Sequence, residues 1–390
     1  MKFQLILLLC LISSIVSIER CLCVRKEPRD AKPRRARGYK PKVVSTQNNV
    51  NNARISSKND PLKWGIMGAG KISNDFVAIT KSMPQHQFVA VGSRRLSSAQ
   101  DFANRHNVSK AYGSYLELAN DPEVQVVYIG TVNNVHLDNV RLMLEHGKHL
   151  LVEKPLAMNS KQVEEMVSLA KSKRLFFMEA LVERFTPSFD FAFEHIRRGT
   201  IGNVYHVNGG LGYRMVMEDR VSTRELGGGT VLDLGIYAIG LADSAYDGEM
   251  PSKIEAIGNL NQNGVDLNFS ANLKYGGNRT ASIFANGLLK LPNDAFIIGT
   301  NGTIRIAGNF KSSERVYIND VVHDFPFPKT DEHLFYAPDS LALRYEAEEV
   351  RKCINEGRIE SQKMSHKDSI VMAKIEDEIR RQIGVVYDVD

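Results

Sequence analysis

Cysteine is scarce in this chain: four among 390 residues, at Cys10, Cys21, Cys23 and Cys353. Only Cys353 lies beyond residue 23, so the bulk of the chain has neither a disulfide framework nor a cysteine-based metal site. Long apolar runs are as rare. The one present, Leu5 to about Ile18 in "MKFQLILLLCLISSIVSI", is short for a spanning helix. A lysine precedes it and Ser13, Ser14 and Ser17 close it, the pattern of a secretory signal peptide over residues 1–18. An uncleaved signal that anchors the chain in a membrane is the alternative. After signal removal no membrane span is expected, and the expected location is the secretory pathway or the extracellular space.

Acids are nearly missing from the next stretch. Residues 24–60 hold eleven lysines and arginines against three acids. The segment 19–60 is first basic and then Asn/Ser-rich, with almost no aromatics, which reads as a disordered linker or propeptide. Within it, "RRAR" at Arg34–Arg37 is a candidate processing site. From residue 61 onward the net charge is −4, so the body lacks the basic balance of a nucleic-acid binder. Sequons at Asn107, Asn268, Asn278 and Asn301 would accept glycans on the secretory route.

From Lys63 onward, short apolar runs alternate with segments of helical periodicity. "KWGIMG", "QFVAVGS", "VQVVYIGTV", "HLLVEKP" and "LFFMEAL" read as strands. "ISNDFVAITKSM", "SSAQDFANRH" (opened by a Ser cap), "HLDNVRLMLEHG" and "SKQVEEMVSLAKSK" read as helices. Strands without polar alternation, with helices between them, predict a parallel sheet covered on both faces. The expected fold is α/β. A doubly wound, dinucleotide-binding domain spans 61–181. An α+β domain with a large, open, mostly antiparallel sheet spans 182–390. In the latter, "TVLDLGIYAIGLADSAY" reads as a helix capped near Thr230, and "GTNGT" around Asn301-Gly302 as a hairpin.

Two further absences concern the site. Gly68-Ala69-Gly70-Lys71-Ile72-Ser73 follows a strand and opens a helix, the setting of a dinucleotide loop, but its third glycine is missing. That position serves helix–strand packing, and Ser73 is a small substitute. Gly68 and Gly70 make the tight turn and the close approach, and the amides from Lys71 and Ile72 would face a pyrophosphate. The second absence is the acid that normally ends the second strand of an NAD site. Ser93 stands there, followed by Arg94 and Arg95. Serine and arginine accept a 2′-phosphate that a carboxylate would repel, so the expected cofactor is NADP; two surface arginines are the other reading.

The carboxyl ends of later strands supply more candidates. Thr131, Asn133 and His136 follow the fourth; His136, at a helix start, reads equally as a packed residue or a cap. Glu153, Lys154 and Pro155 end the fifth. Gly227–Gly229 lead into a helix on which Asp233 and Tyr237, four residues apart, share a face. Lys154, Asp233 and Tyr237 could hold and deprotonate a substrate hydroxyl. A backbone-bonded aspartate and a packed tyrosine remain the structural reading. No metal ligands are evident.

In order, "GIMGAGKIS", "GTVNNVH", "EKP" and "GGGTVLDLGIYAIG" resemble the Gfo/Idh/MocA oxidoreductase family over residues 61–390. "MEALVERFTP" and "RRQIGVVY" are similar to its dimeric dihydrodiol dehydrogenase subgroup. The resemblance implies a Rossmann domain joined to an open sheet, with a homodimer formed through that sheet. It also implies NADP-dependent oxidation of a trans-dihydrodiol or an aldose such as D-xylose. By it, Lys154 and Tyr237 are the catalytic pair, Asp233 the shared aspartate and Arg94 the phosphate arginine. The chain departs from the subgroup at Asn133, where the subgroup has His, and at Val182, where it has Trp. Losing a ring at each implies a different or roomier pocket. Two alternatives stand beside dehydrogenation: a sugar or pseudosugar reductase on the same scaffold, and a secreted, non-catalytic binding protein.

Overall fold

The structure is a computed structural model that describes residues 60–329 and 335–390. The signal, linker and processing-site expectations therefore lie outside the described residues, apart from Asp60. Among the described residues no helix is long and apolar enough to cross a membrane. No group of His, Cys, Asp and Glu among them could hold a metal ion.

The first half is built as its uniform apolar strands require. Strands β1 (Leu62–Met67), β2 (His86–Gly92), β3 (Lys110–Tyr112), β4 (Val126–Ile129), β5 (His149–Glu153) and β6 (Phe177–Ala180) form one sheet. Its order is β3-β2-β1-β4-β5-β6, and every pairing is parallel. Helices α1 (Lys71–Thr80), α2 (Leu96–His106), α3 (Tyr115–Asn120), α4 (His136–Glu145) and α5 (Ser160–Lys173) make the crossovers. The single tryptophan, Trp64, is fully buried and satisfies its indole N–H on His86 Nδ1 at 3.0 Å. Tyr128 and Phe76 stack behind it at 4.0 Å. The strand order reverses between β1 and β4, and in such sheets ligands bind outside the carboxyl ends at that point.

One local expectation is corrected here. Helix α2 starts at Leu96, before the predicted serine, and has no side-chain cap; Ser98 instead accepts from Arg95 Nε at 3.3 Å. Strand β3 is three residues long, too short to leave a periodic signal in the sequence.

The second half contains α6 (Pro187–Arg197), β7 (Val204–Gly212), α7 (Asp219–Ser222) and α8 (Ile236–Ala245). Then come β8 (Lys253–Leu260), β9 (Asp266–Lys274), β10 (Thr280–Asn286), β11 (Ala295–Gly299), β12 (Gly302–Ile306), β13 (Arg315–Ile318) and β14 (Val321–Asp324). Helices α9 (Leu343–Asn355) and α10 (His366–Ile383) finish the chain. The eight strands lie in the order β14-β13-β12-β11-β7-β10-β9-β8. All pairs are antiparallel except β7 with β10, which is parallel. The predicted hairpin joins β11 to β12 through Thr300 and Asn301.

Alternation along these strands divides the sheet's faces. Val207, Phe269, Ala271, Ile283, Ile297 and Ile304 are buried on the side covered by α8 and α10. Ile257, Phe296 and Ile298 stay exposed on the other. Cys353 is free and buried.

Candidate active site

The glycine loop forms the first wall of the site. Gly68, just beyond β1, has φ +95°, and a Cβ there would press on the Gly130 carbonyl oxygen at 3.0 Å, so glycine is required. Gly70 is the N-cap of α1, extended and without a side-chain cap. The first amides of α1, from Lys71 onward, thus lack the partners that a cap would give. A Cβ on Gly70 would meet nothing closer than Gly130 O at 3.9 Å. Open space beside amides that no side chain caps among the described residues fits a pyrophosphate. Ser73 is fully buried, with its Oγ packed against Gly130, which is the packing task of the missing glycine.

Ser93 and Arg94 follow β2 at the same edge. Ser93 N–H donates to Tyr112 O at 3.1 Å. Arg94 is exposed and makes no ion pair among the described residues, so its guanidinium has donors to offer a phosphate. Thr131 Oγ1 accepts from Asn139 Nδ2 at 2.9 Å. Asn133 donates to the Gly227 carbonyl at 2.9 Å, which ties the first domain to the glycine run before α8. His136 is used structurally: its ring is buried, with nitrogens 3.0 Å from Pro155 O and 3.1 Å from Thr131 O. Burial lowers its pKa below the ordinary imidazole value. The ring braces the loops after β4 and β5, its single N–H donating to one of these carbonyls while the other ring nitrogen lies against the second. Glu153 also points inward, accepting from Tyr128 Oη at 2.5 Å; burial raises its carboxyl pKa.

Lys154 reaches across to the second domain. Its Nζ donates to the Asp233 carbonyl at 2.8 Å and to Oδ1 at 2.9 Å. Asp233 lies in a π-helical turn, Val231–Gly235, that runs directly into α8, a local widening of the kind that recurs at functional sites. The predicted Thr230 cap is absent; Thr230 instead donates to Asp266 Oδ2 at 2.5 Å. A second cation meets Asp233: Arg220 Nη1 donates to the same Oδ1 at 2.7 Å. Burial works against the Asp233 charge, but Lys154 and Arg220 outweigh it and hold the carboxyl well below the ordinary range.

Tyr237, four residues on, is 6% exposed. Its ring centroid lies 5.2 Å from Lys154 Nζ and 5.3 Å from Lys311 Nζ. Its phenol is strongly perturbed. Burial, and then Glu153, Asp233, Glu183 and Asp339, push it well above the ordinary tyrosine value.

Lys154, Asp233 and Tyr237 are thus brought together as predicted, with the glycine loop and Ser93–Arg94 along the carboxyl edge of one sheet. Arg220, Lys311, Asp339 and Glu183 were not foreseen. Arg220 sits in "EDRVSTRE" and Lys311 in "GNFKSSER", polar stretches that read as solvated surface, and only the tertiary fold delivers them.

Residues 62–181 match the oxidoreductase family with an NAD-binding Rossmann fold. Residues 189–305 match the GFO/IDH/MocA C-terminal domain. The chain is 43% identical over 332 residues to trans-1,2-dihydrobenzene-1,2-diol dehydrogenase of Danio rerio, covering 84% of this chain and 99% of that one. Among the solved structures that share the fold are two nucleotide complexes. Levoglucosan dehydrogenase in complex with NADH and levoglucosan superposes with a TM-score of 0.72 at 20% identity, over 83% of this chain and 97% of that one. A 3-ketoreductase from Actinomadura kijaniata in complex with NADP gives 0.70 at 22% identity, over 84% and 99%. With both domains matched in order and the Danio rerio relative aligned over almost its whole length, the chain belongs to the Gfo/Idh/MocA family of oxidoreductases.

Proposed function

We propose that this protein is an NADP-dependent dehydrogenase acting on a CH–OH group of a small diol or aldose. One observation carries the reading. Lys154, fastened to Asp233, and the phenol of Tyr237 meet at the carboxyl edge of the sheet that ends in the glycine loop. Bound NADP supplies the hydride acceptor. Gly68, Gly70 and the α1 amides hold the pyrophosphate, and Ser93 with Arg94 receives the 2′-phosphate. Tyr237 exchanges the proton of the substrate hydroxyl. Lys154 orients that oxygen, and Asp233, itself gripped by Arg220, fixes Lys154.

The raised pKa of Tyr237 sets a pH dependence. The free phenol stays protonated near neutrality. Oxidation needs its basic form, so kcat/KM for oxidation should climb as pH rises, and carbonyl reduction should fall over the same range. A protonated Tyr237 also favours the reductase reading at neutral pH, where the phenol donates its proton to a substrate carbonyl.

The test is NADPH production with trans-dihydrodiols and aldoses, with NAD in a parallel arm, and the reverse reaction on the corresponding carbonyls. NADP binding without turnover in either direction would favour a non-catalytic binding protein and overturn the proposal.

Secretion after signal removal, glycosylation and a homodimer through the open sheet belong to the same reading. Asn107, Asn278 and Asn301 are exposed, which suits glycans. Asn268 lies on the open face and accepts from Asn259 Nδ2 at 3.0 Å. A glycan there would compete with sheet-to-sheet pairing. Mass spectrometry of secreted protein, beside its sedimentation, checks both expectations.

A further inference from the structure

Lys311 and Asp339 are unusual for charged residues that the Lys154–Asp233 chemistry does not use. They arrive from distant parts of the chain, Lys311 from the turn between β12 and β13 and Asp339 from the short Pro338–Ala342 helix before α9. The Lys311 ammonium pairs with Asp339 Oδ2. Their side chains keep 15% and 25% exposure, so the pair is neither sealed into the core nor out on the surface. Lys311 stands as near the Tyr237 ring as Lys154 does. Burial opposes its charge, yet Asp339 more than compensates and raises the ammonium above its ordinary range.

The pair is held in place from both sides. Tyr213 Oη donates to Asn309 Oδ1 at 2.6 Å, and Asn309 Nδ2 donates to Ser312 Oγ at 2.9 Å and reaches Asp339 Oδ2 at 3.5 Å. On the other side, Asp75 of α1 accepts from the Tyr336 and Ala337 amides at 2.8 and 3.1 Å and from Ser340 Oγ at 2.7 Å. The helix whose first turn faces the pyrophosphate therefore also anchors the segment that carries Asp339.

We propose that Lys311 and Asp339 are specificity-determining residues that grip a second substrate hydroxyl, vicinal to the one that reacts at Tyr237. The proposal rests on the dehydrogenase reading above and extends it. An ammonium has three donors, and Asp339 occupies part of that capacity. The Asp339 carboxylate has an oxygen beyond the one that Lys311 and Asn309 share. A hydroxyl can accept from Lys311 and donate to Asp339 at once, whereas a methylene in its place leaves a spare ammonium N–H and the second carboxylate oxygen facing it without a partner, the pair itself remaining intact. The site thus selects vicinal diols, including adjacent hydroxyls of a sugar, over simple alcohols. Sites built to bond a hydroxyl reject analogues that lack it by large factors.

The experiment compares trans-cyclohexane-1,2-diol with cyclohexanol, both with NADP, in wild type, Lys311→Gln and Asp339→Asn. The wild-type preference for the diol in kcat/KM should be about 100-fold or more, and each substitution should shrink that ratio at least about tenfold, chiefly through a higher KM for the diol. Unchanged NADP affinity and melting temperature separate this from misfolding; if Lys311→Gln does not fold, Asp339→Asn carries the test. A wild-type ratio near one, or one that survives both substitutions, overturns the pair's role. If wild type oxidises neither alcohol, the dehydrogenase reading is judged by the dihydrodiol and aldose panel above. Calorimetric titration of the NADP complex with the diol then judges the pair alone, and equal affinity in wild type and variants overturns it.

Discussion

The two lysines at Tyr237 illustrate how differently the two domains build a site. Lys154 is the residue after a parallel strand, and its neighbours in the site, Gly68 to Ser73, Ser93 and Thr131, also follow strands of the same sheet. Parallel strands deliver their carboxyl ends to one edge, so each functional group lies one or two residues past an apolar run. Lys311 comes from the turn between β12 and β13 and meets Asp339, which lies in the short helix after β14, with no regular relation between their positions. One domain encodes chemistry by position along a strand, and the other by which loops the fold brings close. Experiments can separate these modes of construction.

The largest effect is expected where both domains converge. Tyr237→Phe removes the proton-transfer oxygen and keeps the ring beside both ammoniums. General acid–base catalysis contributes roughly 10²–10⁴-fold, so kcat should fall by about that factor while NADP affinity changes less than about twofold. Pre-steady-state kinetics with the best substrate checks it. A full rate in the variant would dissolve the link between the α8 helix and the Lys154 loop.

Glu179, at the end of β6, tests the seam between the domains by pH. Its Oε1 accepts from the Leu156 amide at 2.9 Å and its Oε2 from Ser369 Oγ of α10 at 2.7 Å. Burial raises its pKa to about 7, against those hydrogen bonds. An acid raised on folding binds more protons when folded. Its contribution to stability is therefore best near pH 4 and is lost as pH rises from the unfolded value toward 7. Glu179→Gln preserves an acceptor for Leu156 and cannot ionise. It should remove that decline, worth roughly 2–3 kcal/mol at neutral pH. Urea melts from pH 5 to 8 check it: wild type should lose stability across this range more steeply than the variant. Parallel curves would mean that Glu179 ionises freely.

Those two cases also mark how far the sequence can be read. The parallel sheet was legible because strands buried on both faces carry no polar alternation, as in "VQVVYIG". Lys154, Asp233 and Tyr237 were legible because two of them share a helix and the third ends a strand. The β7–β10 pairing was not, since the whole of residues 213–279 lies between the two strands. The π-helical turn at Asp233 leaves no mark in a run that is apolar all round. Arg220, Lys311 and Asp339 are polar residues in polar loops, and their importance comes only from the tertiary contacts that they make. The raised pKa of Tyr237 was missed for a related reason: the acids around it, Glu153, Glu183 and Asp339, come from three separate segments.

A smaller effect isolates the nucleotide edge. Arg94→Ala removes an exposed guanidinium with no ion pair among the described residues, so the fold should be unmoved. A charge-assisted bond to phosphate is worth about 1.5–3 kcal/mol. NADP should bind about 10- to 100-fold more weakly, and NAD within about twofold of its former affinity. Fluorescence titration with both nucleotides checks it, and equal losses for the two would remove the 2′-phosphate from Arg94.

The smallest effect is expected at the missing third glycine. Ser73 Oγ is buried without a hydrogen-bond partner among the described residues, and it packs against Gly130, whose added Cβ would collide with it. An unpaired buried hydroxyl costs free energy, and its removal loses no bond. Alanine retains the Cβ that fills the helix–strand contact and has the better helix propensity. Ser73→Ala should therefore leave NADP affinity within about twofold and stability unchanged or raised by up to about 1 kcal/mol. Thermal melts with and without NADP check both. A clear loss of NADP affinity would mean that the hydroxyl turns toward the phosphates, and the loop would then read the nucleotide through a side chain as well as through its amides.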